Sequence, residues 1–316
     1  MNKSDVPDSR GYPDKSTGRS RLIITRRIVL IVGPDDWSKS FATCAGKYQS
    51  PIDIDLHEVM TVQLPPIKYH GFNKKPLSTV LSNNGHTVML QLNMSEPLAI
   101  SGGPLRGKYV FQQLHWHWGY NDSVGSEDTI NHQSFPMELH MVFYRSIYGG
   151  FTRALEYKDG LAVLAFFYEV IGRGSAGNNN AYAEMVEHLP SVALPHSEAR
   201  LVRQQPMDHM LPKDRSQYFT YNGSLTTPPC SEVVIWIDYK HPIRLSHDQI
   251  DEFRRLQTSG GAFMTHNNRP TQPLGDRVVL FNDVDLDQDD DSASLQGLSA
   301  PLLLVSLLLA ARLGLS

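Results

Sequence analysis

Three histidines occur in two apolar segments, with the two-residue spacing that suits a β-strand. His115 and His117 lie in the first segment. His140 lies in the second segment, two residues after Glu138. Side chains at positions i and i+2 of a strand share one face of the sheet. If the two strands are neighbours, three imidazoles converge on one point, and three neutral histidines with one water make a catalytic zinc site.

Two nearby side chains could orient these rings. A zinc-bound histidine donates its other N–H to a carboxylate or a carbonyl oxygen. Glu138 stands two residues before His140. Gln113 stands two residues before His115. The residues alone also allow a simpler interpretation, in which the histidines face solvent on a sheet and bind no metal.

The histidine segments are two of four predicted strands. Runs of β-branched and aromatic residues between turn signals indicate strands at Tyr109–Trp118, Met137–Tyr144, Leu161–Val170 and Glu232–Tyr239. The pair Asn84-Gly85, between the apolar runs 77–81 and 87–92, indicates a β-hairpin.

Two helices complete the predicted domain. Ala181–Leu189 is predicted to be helical and to end at Pro190. Ser246–Gln257 opens with a capping box, formed by Ser246 and Gln249, and places its apolar residues on one face. The pattern predicts a single, mostly β (α+β) domain with a few peripheral helices.

Composition excludes several classes of protein. The 316 residues are enough to bury a sizeable core. The net charge of −4 argues against a nucleic-acid-binding surface, which is normally basic. Two cysteines exclude both a disulfide-dense scaffold and a four-cysteine zinc module.

The first 34 residues differ from the rest of the chain. They are basic and contain frequent Ser, Pro and Gly, which indicates a disordered extension. A signal peptide needs an apolar core of about 7–15 residues. The apolar run at 28–32 has only five residues and is too short for that core. Residues 1–34 are therefore predicted to be a disordered or misassigned N-terminal extension, ahead of a domain at 35–282.

The other end of the chain suits a GPI-attachment signal. An acidic run at 283–291 is followed by the small residues Ser292-Ala293-Ser294. The apolar stretch at 302–311 is shorter than the roughly 20 residues of a membrane-spanning helix. We predict an acidic stalk with the GPI attachment region at 283–297, and an apolar signal at 298–316 that is removed. A tail-anchoring helix and a tail without function are the alternatives.

Together with further motifs, these segments resemble the α-class carbonic anhydrases, from about Gly33 to Phe281. The histidine motifs His115-Trp116-His117-Trp118-Gly119 and Glu138-Leu139-His140 belong to the resemblance. The other motifs are Gln49-Ser50-Pro51-Ile52-Asp53-Ile54, Asn83-Asn84-Gly85-His86, Gly125-Ser126-Glu127, Ser224-Leu225-Thr226-Thr227-Pro228-Pro229 and Asn267-Asn268-Arg269-Pro270-Thr271-Gln272-Pro273-Leu274.

The resemblance implies a large, mainly antiparallel twisted sheet and a zinc lyase. Such an enzyme converts carbon dioxide reversibly to bicarbonate and a proton, by attack of zinc-bound hydroxide. The resemblance assigns His115, His117 and His140 as the zinc ligands. The expected small-molecule partners are carbon dioxide, bicarbonate and water, and no nucleic acid.

The resemblance also implies roles for residues around the metal. Thr226 would donate its hydroxyl proton to Glu127 and accept from the hydroxide, which aims the hydroxide at the substrate carbon. Thr227 would lie on the substrate side. An apolar wall for carbon dioxide is implied at Val142, Val163, Leu225, Val234 and Trp236, although ordinary core packing would need the same residue types.

His86 follows the Asn84-Gly85 turn and matches the position of the family's proton shuttle. The unperturbed histidine pKa of about 6.5 suits that role. Met89 stands where the family usually has a polar side chain, and a thioether holds water less well than an amide. We therefore expect proton transfer to be less effective here than in the family. The other departures are Asp128 for a histidine, Asn268 for a tryptophan and a missing aromatic segment before Gly33.

The two cysteines and the sequons bear on modifications that the chain would carry if it is exported. Cys44 and Cys230 match the paired cysteines of extracellular members, so we predict a disulfide, with two buried free thiols as the alternative. Sequons at Asn93 and Asn121 are predicted to carry glycans, and the one at Asn222 is predicted to stay unmodified. The predicted location is the outer face of the cell membrane.

Two other functions compete with an active enzyme. The chain could be a catalytically impaired relative that serves as a binding ectodomain, or a non-functional truncated product. Catalytically silent relatives typically lack a ligand histidine, whereas all three are present here. The sequence therefore favours an active carbonic anhydrase.

Overall fold

The computed structural model describes residues 33–174 and 177–283. Within them the strands are β1 Asp53–Ile54, β2 Met60–Val62, β3 Lys68–His70, β4 Ser78–Asn83, β5 Val88–Asn93, β6 Ala99–Ser101, β7 Tyr109–Trp118, β8 Thr129–Ile130, β9 Met137–Arg145, β10 Leu161–Val170, β11 Glu198–Leu201, β12 Tyr218–Gly223, β13 Val234–Leu245 and β14 Leu280–Asn282. The α-helices are short: α1 Trp37–Ser40, α2 Phe151–Ala154, α3 Ala183–His188 and α4 His247–Arg254. In the described ranges, 3₁₀ turns occupy Pro34–Asp36, Ala42–Ala45, Ser146–Tyr148, Leu189–Val192 and Met207–His209.

One large mixed sheet organises the described residues. Its strands follow the order β11-β4-β5-β7-β9-β10-β13-β12-β14-β2, with β6 also paired to β7 and β3 paired to β6. Neighbours are antiparallel except for β10 with β13 and β14 with β2. The prediction of a mostly β single domain around a mainly antiparallel sheet with few helices is confirmed.

The central strands are buried on both faces of the sheet. In β10, Ala162, Leu164 and Phe166 belong to one apolar cluster. Leu161, Val163 and Ala165 alternate with them and belong to a second cluster. Strands covered on both faces have continuous apolar runs, which explains why β10 was recognisable from its sequence. The second cluster adjoins the face that carries the predicted site.

The predicted hairpin joins β4 and β5, which pair antiparallel. The Asn84 side chain accepts hydrogen bonds from the backbone N–H groups of His86 and Thr87, both at 2.9 Å. Gly85 has φ of +89°, a conformation that favours glycine. The turn therefore forms for local reasons, as the sequence indicates.

Both predicted helices exist, and both are shorter than predicted, with α4 ending at Arg254 instead of Gln257. The capping box at Ser246 and Gln249 begins α4. The other helix, α3, starts two residues later than predicted, because the Asn179 side chain holds Ala181 N–H in a preceding turn at 3.0 Å. It ends at His188, ahead of Pro190 as predicted, and the chain continues into a 3₁₀ turn with that proline near its start.

Strand β13 differs from its predicted bounds at both ends. Glu232 lies outside the strand, where its carboxylate accepts from Tyr48 N–H at 2.7 Å and from the Gln49 amide at 3.0 Å. At the other end β13 continues past Pro242, because the β10–β13 register shifts between the pairs Phe166–Tyr239 and Tyr168–Ile243. That shift leaves Pro242 outside the regular ladder of hydrogen bonds, so the backbone N–H that proline lacks is not needed there.

Several predictions concern residues outside the described ranges. The N-terminal extension, the acidic stalk and the GPI signal lie at 1–34, 283–297 and 298–316, nearly all of them beyond what the structure describes. Among residues 33–174 and 177–283, helices are too short or too polar to cross a membrane.

Candidate metal centre

The three histidines meet on one face of the sheet, because β7 and β9 are antiparallel neighbours. His115 lies opposite His140, and His117 lies opposite Glu138. Centroids of the three rings are 4.6 to 5.3 Å apart. One nitrogen from each ring lies within 4.8 Å of the other two, which is close enough for one metal ion to bind all three.

Each ring has an oxygen acceptor at its other nitrogen. Gln113 Oε1 lies 2.9 Å from His115 Nδ1, and Glu138 Oε1 lies 2.6 Å from His140 Nε2. The backbone oxygen of Asn267 lies 3.0 Å from His117 Nδ1. An oxygen at this position fixes the N–H there and leaves the opposite nitrogen as a free lone pair. The free atoms are Nε2 of His115 and His117 and Nδ1 of His140.

The donor set fits a zinc ion. His117 Nε2 is buried and has no hydrogen-bond partner, an arrangement that is costly unless the lone pair binds a ligand. Burial lowers the pKa of His117 to about 4 and lowers the pKa of His115 and His140 well below its usual range. All three rings are therefore neutral, as ligands must be. His115 is partly exposed, so the site can be reached from solvent.

A buried carboxylate, Glu127, lies beside the histidines. Its Oε1 accepts from Arg269 N–H at 2.8 Å and lies 3.3 Å from His117 Nδ1. Burial raises the pKa of Glu127 to about 8, and the Thr226 hydroxyl and the Arg269 N–H oppose that rise. A cation held by the nearby histidines would favour the ionised form further.

The segment before Glu127 requires glycine. Gly125 has φ of +149°, and a Cβ there would lie 2.2 Å from the backbone oxygen of Pro136. In the motif Gly125-Ser126-Glu127, the glycine is therefore required for steric reasons and the glutamate provides the buried carboxylate.

The loop that carries Thr226 is tied to distant parts of the chain. Thr226 is buried and Thr227 is exposed. Cys44 and Cys230 form a disulfide at the end of this loop, as the sequence predicted. The Ser224 hydroxyl accepts from Ser50 N–H at 2.9 Å. These bonds tie the threonine segment to the chain at residues 44–50.

The predicted apolar wall adjoins the histidines. Val142 and Val163 are cross-strand neighbours, and Val163 also lies opposite Trp236. The Trp236 ring lies 4.9 Å from the His140 ring. Val234 belongs to the same buried cluster, and Leu225 packs against it. All five predicted residues therefore lie in one apolar surface next to the triad.

His86 and Met89 lie on the β4–β5 hairpin, close to the triad. Met89 is opposite His115 in the pairing of β5 with β7, so both point to the same face. The Asn84 amide donates to Met89 Sδ at 3.3 Å. His86, next to the turn of the same hairpin, is partly exposed.

Some contacts of the site were not foreseen from the sequence. His117 is held by the backbone oxygen of Asn267, and Glu127 by the backbone N–H of Arg269. Every residue has a backbone oxygen, and nearly every residue has a backbone N–H, so the residue type does not predict such contacts. Only the motif that contains Asn267 and Arg269 indicated that this segment belongs to the site. The Glu138 carboxylate also accepts from the N–H groups of Glu127 and Asp128, at 2.8 and 3.0 Å.

Comparisons with known proteins agree with this geometry. Residues 32–283 match the family profile described as eukaryotic-type carbonic anhydrase. The chain is 38% identical to carbonic anhydrase 7 of Mus musculus over 254 residues, which covers 78% of this chain and 93% of the relative. It is 35% identical to carbonic anhydrase 6 of Mus musculus over 261 residues, 79% of this chain and 78% of the relative. The chain belongs to the eukaryotic-type carbonic anhydrases, a family of zinc enzymes, and its three converging histidines form a cluster that could hold the ion.

Proposed function

We propose that this chain catalyses the reversible hydration of carbon dioxide to bicarbonate and a proton, with zinc held by His115, His117 and His140. The observation that carries the proposal is the buried, unpartnered Nε2 of His117 within a triad of neutral rings. When bound, zinc lowers the pKa of a coordinated water from 15.7 to about 7. Convergence of all three histidines argues against the catalytically impaired relative.

Thr226 and Glu127 orient the attacking oxygen. Burial raises the pKa of Glu127, and the Thr226 hydroxyl acts on this carboxyl to oppose that rise. In this proposal the hydroxyl donates its proton to that carboxylate, which leaves the threonine oxygen as an acceptor for the proton of the attacking group. A single fixed acceptor selects one orientation of that group. The attacking oxygen is then aligned with the substrate carbon. Neither side chain is needed as a metal ligand. We expect Thr227, next in the same loop and exposed, to contact the substrate.

The apolar wall holds carbon dioxide. The substrate has no net charge, so it gains little from charged groups and much from a dry apolar surface. Val142, Val163, Val234 and Trp236 are all nearly fully buried and adjoin His140, with Leu225 packed against them. Such a wall beside His140 would hold the substrate next to the attacking oxygen.

His86 transfers the product proton to buffer in this proposal. We expect His86→Ala to lower the hydration rate in dilute buffer about ten- to a hundred-fold, because it removes a positioned acid–base group. Small imidazole buffers should restore much of that rate. Isotope exchange at equilibrium, which reports the hydration step itself, should barely change.

His70→Ala is a matched control, since His70 is exposed and bonded only to Ser101 among the side-chain contacts of the described chain. It should change neither measurement. An unaltered dilute-buffer rate in His86→Ala would mean that protons leave by another route.

We further propose that the enzyme acts at the outer face of the cell membrane through a GPI anchor. The Cys44–Cys230 disulfide is typical of an oxidising compartment, and the tail sequence suits GPI attachment. The sequons at Asn93 and Asn121 are exposed and would carry glycans there. Asn222 lies within β12 beside the threonine loop, and we expect it to stay unmodified.

A phospholipase that cleaves GPI should release the protein from intact cells. The released protein should lose mass on enzymatic deglycosylation, and Asn93→Gln and Asn121→Gln should each reduce that loss. Retention on the cells, with the tail peptide still detectable by mass spectrometry, would count against the anchor.

A further inference from the structure

Four carboxyl groups are buried together behind the triad. Glu127, Asp128, Glu138 and Asp238 are each at most 2% exposed. Glu127 Oε1 and both oxygens of Glu138 have the partners described above, and Glu127 Oε2 has no hydrogen-bond partner. Asp238 differs, because neither of its oxygens has a hydrogen-bond partner, and Asp128 Oδ2 also has none. The proposed mechanism uses neither aspartate.

The sheet places Asp238 on the same face as the triad. Asp238 of β13 lies opposite Ala165 of β10, and Ala165 lies opposite His140 of β9. Asp128 reaches the same region from the segment after Glu127. Its Oδ1 accepts from Ile52 N–H at 2.8 Å and from the Tyr221 hydroxyl at 3.0 Å. Tyr221 stacks on Trp236, two residues before Asp238.

No cation neutralises these two aspartates. Among the ion pairs of residues 33–174 and 177–283, none includes Asp128 or Asp238. Arg277 acts weakly on Asp128, but its guanidinium donates to the backbone oxygens of Leu274, Asn222 and Pro273.

The groups that act electrostatically on Asp238 are acidic, and its strand neighbours are apolar. Asp128, Glu138 and Tyr221 each interact with it. Ala165 and Phe219 flank it on the adjacent strands. An ionised carboxylate without a cation or a hydrogen bond is very costly in such a place, and the group takes up a proton instead. Burial and then the charge of Asp128 raise the pKa of Asp238 well above its usual range.

We propose that Asp238 is a neutral carboxylic acid that donates its O–H to Asp128 Oδ2, and that Asp128 is the ionised partner. Asp128 already accepts two hydrogen bonds at Oδ1, so it is the better place for the charge. A protonated carboxyl supplies the one donor that Oδ2 lacks. The pair then has one negative charge instead of two.

The pair makes Asp238 a positioning residue for the metal centre. The N–H groups of Glu127 and Asp128 hold Glu138 Oε2, and Glu138 Oε1 holds His140. Because Asp128 N–H is one of the two donors to Glu138, a hydrogen bond from Asp238 to the Asp128 side chain would fix the segment that orients His140. This role rests on the proposed zinc function, whereas the protonation state of Asp238 does not.

The pair has a defined effect on stability as pH changes. The pKa of Asp238 is higher in the folded chain than its unfolded value of about 3.9. Its contribution to stability is therefore full below that unfolded value and is lost as pH rises through the folded value.

Asp238→Asn keeps a donor for Asp128 and cannot ionise. We expect the Tm of Asp238→Asn, relative to the unaltered protein, to rise steadily from acid to alkaline pH.

Infrared spectroscopy of the full chain tests the protonation directly. At neutral pH the unaltered protein should show the C=O stretch of a protonated carboxyl, which shifts in deuterated water. Labelling aspartate at its carboxyl carbon should move this band, which separates it from the glutamates. The band should disappear in Asp238→Asn and remain in the control Asp276→Asn, since Asp276 is exposed and Lys47 lowers its pKa.

Comparing Asp238→Asn with Asp238→Leu separates the loss of the hydrogen-bond donor from the loss of the carboxyl group. Asp238→Asn should retain zinc, whereas Asp238→Leu, which has no donor for Asp128, should lose zinc about ten-fold more readily. A neutral-pH spectrum of the unaltered protein without a labelled aspartic acid band would overturn the proposal, even if Asp238→Leu fails to fold. That outcome would leave the proposed hydration activity intact, because the activity is measured independently.

Discussion

Replacing His117 by alanine should remove the metal and the hydration activity together. His117 supplies the buried, unpartnered Nε2 of the triad, and its Nδ1 is already occupied by Asn267 O. Two remaining histidines cannot hold zinc against dialysis with a chelator. Zinc should fall from one per chain to near zero. Carbon dioxide hydration should fall on the order of 10³-fold or more, because the pKa of unbound water returns to 15.7 from about 7.

His132→Ala is the matched control for this substitution. The His132 side chain is 87% exposed and is paired with Asp53, away from the triad. It should keep full zinc content and full activity. Full zinc occupancy in His117→Ala would show that the metal binds elsewhere and that the ligand assignment is wrong.

Replacing Thr226 by alanine should slow turnover while zinc stays bound. The buried Thr226 hydroxyl interacts with Glu127 and is the proposed acceptor for the attacking group. Without it the nucleophile samples several orientations, and a misplacement of about 1 Å can reduce the rate about 10²-fold. We expect a loss of that size in kcat/KM, measured by stopped flow, with unchanged zinc content.

Thr226→Ser is the informative comparison, because it keeps the hydroxyl and removes only a methyl group. It should retain most of the activity. If Thr226→Ala is as fast as the unaltered protein, the orienting role of Thr226 and Glu127 does not apply to this chain.

The sequence was most informative where local pattern decides the structure. The two-residue spacing of His115 and His117 placed both on one face, and the pairing of β7 with β9 brought His140 beside them. The bounds of β7 and β10 agree with the prediction, since their aromatic and β-branched runs end at turns. The hairpin at Asn84-Gly85 formed for the same local reasons.

Long-range contacts were beyond the sequence. Strand β13 begins after Glu232 because that side chain bonds to Tyr48 and Gln49, more than 180 residues earlier. Asp238 stands in an apolar run of the sequence, and only the sheet register shows that it faces the triad side. The roles of Thr226, Glu127 and His86 came from the family resemblance, because the residue types alone allow many other functions.

Zinc removal and return, followed by the carbon dioxide hydration rate, test the central claim most directly. The purified full chain should lose its activity when a chelator removes zinc. Activity should return in proportion to added zinc and saturate at one equivalent, and His117→Ala should show no recovery. A hydration rate that is independent of zinc, or a fully zinc-loaded chain without hydration activity, would contradict the account.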